Sequence, residues 1–331
     1  MVKFLLKRVL YIILVLFFVS FFIFMLFRTM PGDPVDIFLP PEVAAGMEPE
    51  HVAIMRAEII ETMALDQPHV IQYFYWLAAT VRGNLGQSIE TRQDVIDHVR
   101  APLTNTLVFN IINMILVFSI TIPVGVYSAI KRGKLFDNAA LVTSMIGLST
   151  PGFLFGLILI VFLVVLPPWN VFPMFGMASI MPPDRGTMDW YLDRLQHMIL
   201  PLLALVFMSL AGLIRYVRSA MIDALNMDCI RTARSKGLAE KTVIYIHAFR
   251  NALIPIITVM GGWFIGIFSG SLAIEITFQW QGMGVIMLNA LNTRDIAVQM
   301  AMTLFYALVS FVVILLLDII YVLVDPRIRF E

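Results

Sequence analysis

Residues 9–27 read VLYIILVLFFVSFFIFMLF, a run of nineteen residues without a charge. A transmembrane helix needs about 20 predominantly apolar residues, so this run is long enough to cross a bilayer. Lys3, Lys7 and Arg8 precede it, and the polar stretch 28–34 follows it. A secretory signal has a shorter apolar core and ends at a small-residue cleavage site, which is lacking here. We therefore expect a retained transmembrane helix.

Further uncharged runs follow along the chain and have the same character. Together with the first they predict six membrane spans, of which the second, third and last are long enough to tilt or to extend beyond the bilayer. The last run can be extended past Asp318 to residue 324. The five additional runs are 103–130, 139–166, 198–214, 252–274 and 297–317.

The composition of the 331 residues agrees with a membrane protein: 60% are hydrophobic, 14% are charged and the mean hydropathy is +0.87. Soluble domains have about half apolar and a quarter charged residues, so a soluble enzyme, a disordered chain and a basic nucleic-acid binder are excluded. The single cysteine, Cys229, rules out an intramolecular disulfide and a metal site built from cysteines. The five histidines show no metal-binding spacing, so we expect no metal.

The charges between the runs predict the orientation of the spans. With the N-terminus inside, the cytoplasmic segments carry 15 Lys and Arg and the outer segments carry 8. Acidic residues show the opposite bias, with 6 inside and 16 outside. Because basic residues accumulate in cytoplasmic loops, both termini are expected in the cytoplasm.

The outer segment 28–102 is too long for a simple connection, and it holds eleven acidic and five basic residues. Its stretch 48–65 has apolar residues at helical spacing, which predicts an amphipathic surface helix. The aromatic residues 73–76 are expected at the lipid interface. The segment could be a compact outer cap or a surface that receives a partner. The apolar positions of the helix are Val52, Met55, Ile59 and Met63.

Two acidic residues stand in or beside the spans. Asp318 lies within the last run, where an ionisable group indicates either function or a structural pair with a cation near the inner surface. Glu275 follows the fifth run, where it could line a pathway or be solvated. Proline and glycine interrupt several runs, as suits a bundle that changes shape but is also common in static membrane helices.

The cytoplasmic segment 215–251 is basic and helical in pattern. Asp228 is suited to an N-cap and Gly237 to the residue after a helix end, which leaves a helix of about two turns. Arg231 and Arg234 share one face of it, because residues three apart are neighbours. The helix could be a solvated basic loop anchored by lipid phosphates or a lever on which another protein pushes.

A second helix is expected to begin at Glu240 and to run to Asn251, with Pro255 starting the fifth span. The short basic helix would then be held crosswise, outside the membrane, between two spans.

The residues of this segment resemble the coupling loop of ABC importer permeases, in the variant of the dipeptide/oligopeptide group. The similarity extends over nearly the whole chain. The chain departs from the group at two places. Gln281 stands where the group usually has a proline, and Val313 lies near the position where the group commonly has an asparagine. The matching stretch of the coupling loop is Arg231-Thr232-Ala233-Arg234-Ser235-Lys236-Gly237-Leu238, followed by 247–255. Further matching stretches are 31–35, 65–68, 72–73, 83–89, 197–201, 275–278 and 325–329.

The resemblance implies an all-α membrane protein with six transmembrane helices, a type I ABC importer transmembrane domain with a large extracytoplasmic loop after a peripheral first helix. The eight residues 231–238 would couple the chain to an ATPase, and Glu275 and Asp318 are candidates for the pathway or its gating. The implied parts are the N-terminal helix 1–30, the extracytoplasmic loop 31–102, the core 103–324 with the coupling loop 215–251, and the cytoplasmic tail 325–331.

The resemblance also implies an assembly in a prokaryotic inner membrane. Its other members would be a second homologous permease, two ABC ATPase subunits and an extracytoplasmic solute-binding protein, with lipid around them and no nucleic acid. The expected solute is a di- or oligopeptide; nickel, glutathione and oligosaccharides are alternatives carried by related importers. ATP and Mg would bind to the ATPase subunits, and no cofactor to this chain.

One part of this expectation also follows from the residues. The sequence has no Gly-x-x-x-x-Gly-Lys-Ser/Thr phosphate loop, so ATP hydrolysis must come from a partner. A stand-alone secondary transporter would be expected to show repeats and ionisable groups near the membrane midplane, and the sequence shows neither. A membrane enzyme would need a cluster of catalytic side chains, and none can be assembled.

Overall fold

The computed structural model describes residues 2–29, 35–36, 39, 41–62, 64–167 and 172–324. Those residues form helices and loops, with one isolated β-bridge between Gln87 and Asp94. Met63 and the motif residues 31–34 and 325–329 lie outside the described part. The helices in chain order are α1 Val2–Arg28, α2 Pro41–Ala44, α3 Pro49–Thr62, α4 His69–Val81, α5 Val95–Ile130, α6 Leu135–Ser149, α7 Gly152–Ile160, α8 Met188–Leu225, α9 Asp228–Ser235, α10 Glu240–Thr242, α11 Phe249–Gly266, α12 Leu272–Phe278, α13 Met283–Asn292 and α14 Ile296–Val324.

Among the described residues, five helical stretches are long and apolar enough to cross a membrane: α1, α5, α8, the stretch from α10 through α11, and α14. The sixth predicted span is not one helix. Helix α6 and the stretch formed by α7 and the π-helical turn Val161–Val165 meet at an angle of 102°. The prediction of six spans is met when this bent pair counts as one span.

The bend has a local cause in the sequence Thr150-Pro151. A proline disfavours the helical conformation in the residue before it, and Thr150 is extended, with φ −93° and ψ 121°. Pro151 precedes the first residue of α7, where its missing N–H is not needed by the helix. The predicted interruption of the run 139–166 by proline is therefore present, and it takes the form of a sharp turn of the chain at this proline.

The chain divides into two compact units. The first takes its described residues from 1–101 and 286–312, and the second from 102–285 and 313–324.

In the first unit α4 packs against α1. Tyr73 is fully buried, and its ring lies edge-on to Phe21, with ring centroids 5.1 Å apart. Its hydroxyl is 2.9 Å from the Ser20 hydroxyl. Tyr73 therefore packs inside the unit, while Phe74 and Tyr75 are exposed, and the placement of residues 73–76 at the lipid interface stays a prediction.

A buried aspartate of the first unit joins the outer loop to α14. The Asp295 carboxylate accepts hydrogen bonds from the Ser88 hydroxyl at 2.6 Å and from the Ile89 backbone N–H at 2.8 Å. It also accepts from the Val298 N–H at 3.2 Å, as an N-cap of α14 does. The motif 83–89 thus reaches a residue more than 200 positions away in sequence.

A helix is present within the predicted stretch 48–65, as α3 Pro49–Thr62, but its apolar and polar faces are poorly separated, since the apolar Ile54 and Ile60 are exposed. Val52, Met55 and Ile59 are half-buried, and the residues between them are mostly exposed. No residue of α3 is fully buried.

The second unit is built on α8, which packs against α6, α7 and α11. It has two main apolar clusters. One joins Phe109, Ile160, Leu200, Ile274 and Phe278, and the other joins α8 to α9 and the π-helical stretch Val243–Ala248. Apolar burial therefore holds both the spans and α9 to the same long helix.

The fifth span differs from its prediction at both ends. The expected separate helix 240–251 does not occur, since α10, a π-helical stretch Val243–Ala248 and α11 follow one another without a break. Pro255 lies inside α11 instead of starting the span. At the outer end the helix stops at Gly266, and the short helix α12 begins at Leu272.

Candidate functional site: the basic helix and the polar cavity

Helix α9 is the two-turn basic helix that the sequence predicts. It begins at Asp228 with Met227 as its N-cap, so the expectation that Asp228 is the N-cap is wrong by one residue. The Met227 side chain makes no capping hydrogen bond. Asp228 lies in the first turn instead, where a carboxylate is favoured by the helix dipole.

The inward face of α9 is small and apolar. Ile230 is fully buried and Ala233 is 6% exposed, and both belong to a cluster with Met221 of α8 and with Val243 and Ile244 of the π-helical stretch. Among the eight predicted coupling residues, Ala233 therefore faces the protein, while the other seven are exposed. Helix α9 is therefore packed against two other elements, α8 and the π-helical stretch Val243–Ala248.

Gly237 ends α9 as predicted. Its φ is +76°, a left-handed conformation that glycine adopts without strain. The Gly237 N–H donates to the Arg234 carbonyl at 2.9 Å, and the Leu238 N–H donates to the Ala233 carbonyl at 3.4 Å. These two bonds form a Schellman motif, which satisfies carbonyls that a helix end leaves free.

The two arginines of α9 have different surroundings. Arg234 makes a two-pronged contact with Glu240, with Nη2–Oε1 at 2.7 Å and Nε–Oε2 at 3.2 Å. The hydrogen bond that Arg234 donates to the Glu240 carboxylate raises the pKa of the Arg234 guanidinium, which therefore stays charged. Arg231 is 3.5 Å from Asp228, and both side chains are largely exposed. Arg234 thus braces the turn between α9 and α10, while Arg231 points to the surface.

A buried ion pair near this end of α8 was not predicted. Asp137 is 1% exposed, and its carboxylate accepts from Arg218 Nε at 2.5 Å and Nη2 at 2.7 Å. It also accepts from the Gly133 N–H at 2.8 Å and from the Ser128 hydroxyl. The only signal in the sequence is one acid in the otherwise basic loop 131–138, and it does not identify the partner.

The second unit also holds a cavity of about 500 Å³ between α5, α8 and the outer end of α11. Asn110 and Asn113 of α5 supply part of its polar lining, and they are 9% and 5% exposed. Ser209, Ser269 and Ser271 add further polar residues, and no ionisable residue lines it. The sequence analysis missed the two asparagines, although they are amides three residues apart in an apolar run.

Asn110 explains why the fifth span stops early. Its side-chain nitrogen donates to the carbonyls of Ile267 and Ser269, both at 2.9 Å, and lies 3.4 Å from the carbonyl of Gly266. The carbonyls at the end of α11 thus find a donor within the protein, which lets the chain leave the helix without unpaired polar groups.

The two acidic residues that the sequence analysis named as candidates, Glu275 and Asp318, lie in different surroundings. Glu275 is on α12 and is 4% exposed; its carboxylate accepts from the Val285 N–H at 2.9 Å. A Cβ atom on Gly270, Gly282 or Gly284 would come within 2.9 Å of this carboxylate, so the glycines leave room for it. Asp318 is half-buried in α14. Neither residue lines the cavity of Asn110 and Asn113.

The described residues contain no group of three or more His, Cys, Asp and Glu side chains that could hold a metal ion.

Comparison with known proteins identifies the family. The model of the "binding-protein-dependent transport system inner membrane component" family matches residues 121–330, and the model of its N-terminal part matches 1–110. The chain belongs to this family.

Three curated relatives match over essentially their full lengths. The oligopeptide transport system permease protein AppB of Bacillus subtilis is 37% identical, with 100% of both chains covered. The dipeptide transport system permease protein DppB of Escherichia coli K12 is 34% identical, with 99% of both covered. The glutathione transport system permease protein GsiC of Escherichia coli O6:H1 is 30% identical, with 100% of both covered.

A solved structure confirms the fold. A chain of the MetNI methionine ABC transporter, in an inward-facing conformation, matches with a TM-score of 0.50 and 16% sequence identity. The match covers 69% of this chain and 96% of that one. The predicted all-α transmembrane domain of a type I ABC importer is therefore confirmed, and the chain is a multi-pass membrane subunit that works with other ABC transporter subunits.

Proposed function

We propose that this chain is a permease subunit of an ATP-driven importer and forms half of the translocation pathway for di- and oligopeptides. The observation that carries the proposal is the seating of α9: Ile230 and Ala233 are buried against α8 and the start of the fifth span, and the charged residues face outward. Two full-length relatives named as oligopeptide and dipeptide permeases support the choice of solute.

The proposed mechanism is alternating access. Two ABC ATPase subunits, which bind ATP and Mg, would close against each other in an ATP-driven step. This closure would move α9. Because α9 shares one apolar cluster with α8 and the fifth span, its movement would tilt both helices together. Residues 231–238 form the proposed coupling site. Glu275, which anchors the turn before Val285, and Asp318 are proposed to act in gating.

The proposed assembly contains a second homologous permease, the two ATPase subunits and an extracytoplasmic binding protein that delivers the peptide. This chain would have no ATPase site and no cofactor of its own, consistent with the lack of a phosphate-loop motif in its sequence. It would lie in the inner membrane of a prokaryote with both termini in the cytoplasm, as the distribution of basic residues favours.

The test is purification of the chain from native membranes in a mild detergent, with mass spectrometry and an ATPase assay of the bound proteins. We expect a second permease and ATPase subunits to stay bound, and the reconstituted complex to take up a labelled tripeptide only with ATP and binding protein. Uptake without ATP by the chain alone would contradict the proposal.

Glutathione is the second candidate solute, because one full-length relative is a glutathione permease. Uptake of labelled trialanine and of labelled glutathione, measured separately in the same proteoliposomes, distinguishes the two. An importer of peptides takes up trialanine in preference to glutathione, whereas an importer of glutathione shows the reverse preference.

A further inference from the structure

An apolar groove lies between α5, the start of α6 and the beginning of the fifth span. Its volume is about 540 Å³, within the usual range of sites for small ligands, about 300–1,000 Å³. The described residues that line it are aliphatic or aromatic, and the only polar groups of their side chains are the hydroxyls of two tyrosines. Three of the lining rings are exposed, so the groove can be reached from outside the protein; they are Tyr127, Phe136 and Tyr245. A molecule that fills this groove therefore buries an apolar surface in it.

The loop that connects α5 to α6 places three basic residues at one end of this groove. Tyr127 precedes the loop and Phe136 follows it; both line the groove, and their ring centroids are 4.8 Å apart. The Lys131 ammonium lies 5.9 Å from the centre of the Tyr127 ring. Arg132 and Lys134 are exposed on the same loop. Positive charge thus begins where the apolar wall of the groove ends.

The charge of the three basic residues in this loop is not neutralised by the part of the chain that the structure describes. None of the three forms an ion pair there. Asp137, the one acid of the segment 131–138, is buried and paired with Arg218. The distribution of basic residues predicts that this end of the spans is cytoplasmic, and basic pockets between membrane helices on that side bind the headgroups of anionic lipids.

We propose that the apolar groove binds an acyl chain of an anionic phospholipid, with the phosphate of the lipid at Lys131 and the basic loop. The aliphatic and aromatic side chains provide an apolar wall for the chain, and tyrosine is enriched at the boundary between membrane and water. An apolar helix of another protein would also fit the groove, but it would bring no negative charge to the loop. The site involves neither the solute nor residues 231–238, so it goes beyond the proposed function.

The test measures how tightly the full-length chain, purified in a mild detergent, retains phospholipids in native mass spectrometry. The probes are dioleoylphosphatidylglycerol, which is anionic, and dioleoylphosphatidylcholine, which has the same chains and no net charge. Val124 lines the groove, so Val124→Trp fills it, and the binding that this variant loses is the binding at the site. Val142→Trp is the matched control, because Val142 is an exposed valine on α6 that does not line the groove.

We expect the wild type to bind phosphatidylglycerol more tightly than phosphatidylcholine at this site. Lys131→Gln should lower the affinity for phosphatidylglycerol about fivefold, the effect of one cation near a membrane surface, and leave that for phosphatidylcholine unchanged. Lys7→Gln is the control for charge. Lys7 is an exposed lysine on the same predicted side of the membrane, but it is on α1, which does not line the groove. Its substitution should change neither affinity.

Several results would overturn the inference. They are equal affinities of the wild type for the two lipids, an unchanged affinity of Lys131→Gln for phosphatidylglycerol, and full retention of this lipid by Val124→Trp. Displacement of the lipid by inorganic phosphate would show a site for free anions. Retention by the chain alone but not by its complex with a second permease would show that a protein covers the groove. If Val124→Trp does not accumulate in the membrane, Val124→Phe replaces it. None of these measurements involves uptake, so a negative result leaves the proposed function unaffected.

Discussion

The carboxylate of Asp137 is held by four donors: the Ser128 hydroxyl, the Gly133 N–H and two nitrogens of Arg218. A buried ion pair contributes little compared with apolar residues of the same shape, because both charges lose their hydration. Removal of one partner is different, since it leaves the other charge buried and unpaired. This single residue therefore ties the loop between α5 and α6 to α8.

We predict that Asp137→Asn lowers the free energy of unfolding by about 1.5–3 kcal/mol, because the half-buried Arg218 then lacks its charged acceptor. Thermal unfolding of the detergent-solubilised protein measures the change. Asp228→Asn is the matched control: its side chain is 96% exposed, and its contact with Arg231 is at the surface, so stability should stay within experimental error. An equal effect of both substitutions would show that the pair is not the cause.

Gly237 gives a second prediction for a single residue. Valine at φ +76° is strained by about 1–2 kcal/mol, whereas asparagine adopts this conformation readily. No atom lies within 4 Å of a Cβ built at this position, so the strain comes from the backbone alone. Gly237→Val should reduce peptide uptake severalfold at unchanged membrane level, and Gly237→Asn should retain it. Normal uptake by the valine variant would contradict a role for this helix end in coupling.

Among the elements, the long helices follow from the length and polarity of the apolar runs, because such runs are stable in a membrane only as helices. The two-turn helix α9 was also predictable, since Gly237 marks its end. The ends of the fifth span could not be predicted. Its outer end depends on Asn110, a residue more than 150 positions away, and no local pattern indicates such a partner.

The contact between the loop residues Ser88 and Ile89 and the start of α14 can be tested by substitution of Asp295. Asp295→Ala removes the acceptor of Ser88, Ile89 and Val298, so hydrogen exchange of the Ile89 and Val298 amides should accelerate about tenfold. Asp94→Ala is the control, because Asp94 is exposed and its side chain makes a long contact of 3.4 Å with Gln87. Unchanged exchange in Asp295→Ala would show that the loop is held by other contacts.

For the whole molecule, the number of spans and the family could be predicted from hydropathy, charge and the coupling-loop residues. The bend of 102° could be predicted only as an interruption at Pro151, because the angle depends on how α6 and α7 pack on α8. The pair Asp137–Arg218 and the cavity of Asn113 could not be predicted. Both bring together residues from distant parts of the sequence, which a single sequence does not connect.

The orientation of the chain is testable with its single cysteine. Cys229 is exposed on α9, so a membrane-impermeant maleimide should label it in inside-out vesicles and not in right-side-out vesicles. The control is Cys229→Ser combined with Glu58→Cys, which places the thiol on exposed α3 and should give the reverse pattern. Labelling of Cys229 from the outside would contradict cytoplasmic termini.

The two faces of α9 are under separate constraints. Ile230 and Ala233 hold the helix in its seat, whereas Arg231, Thr232 and Lys236 project into water. The outward positions can therefore be exchanged for those of another importer while the seat stays intact. If residues 231–238 couple the chain to an ATPase as proposed, a chimaera of this kind is expected to bind the ATPase subunits of the other importer and to keep its own solute. Two such chimaeric importers could then function in the same cell, each with ATPase subunits that the other does not bind.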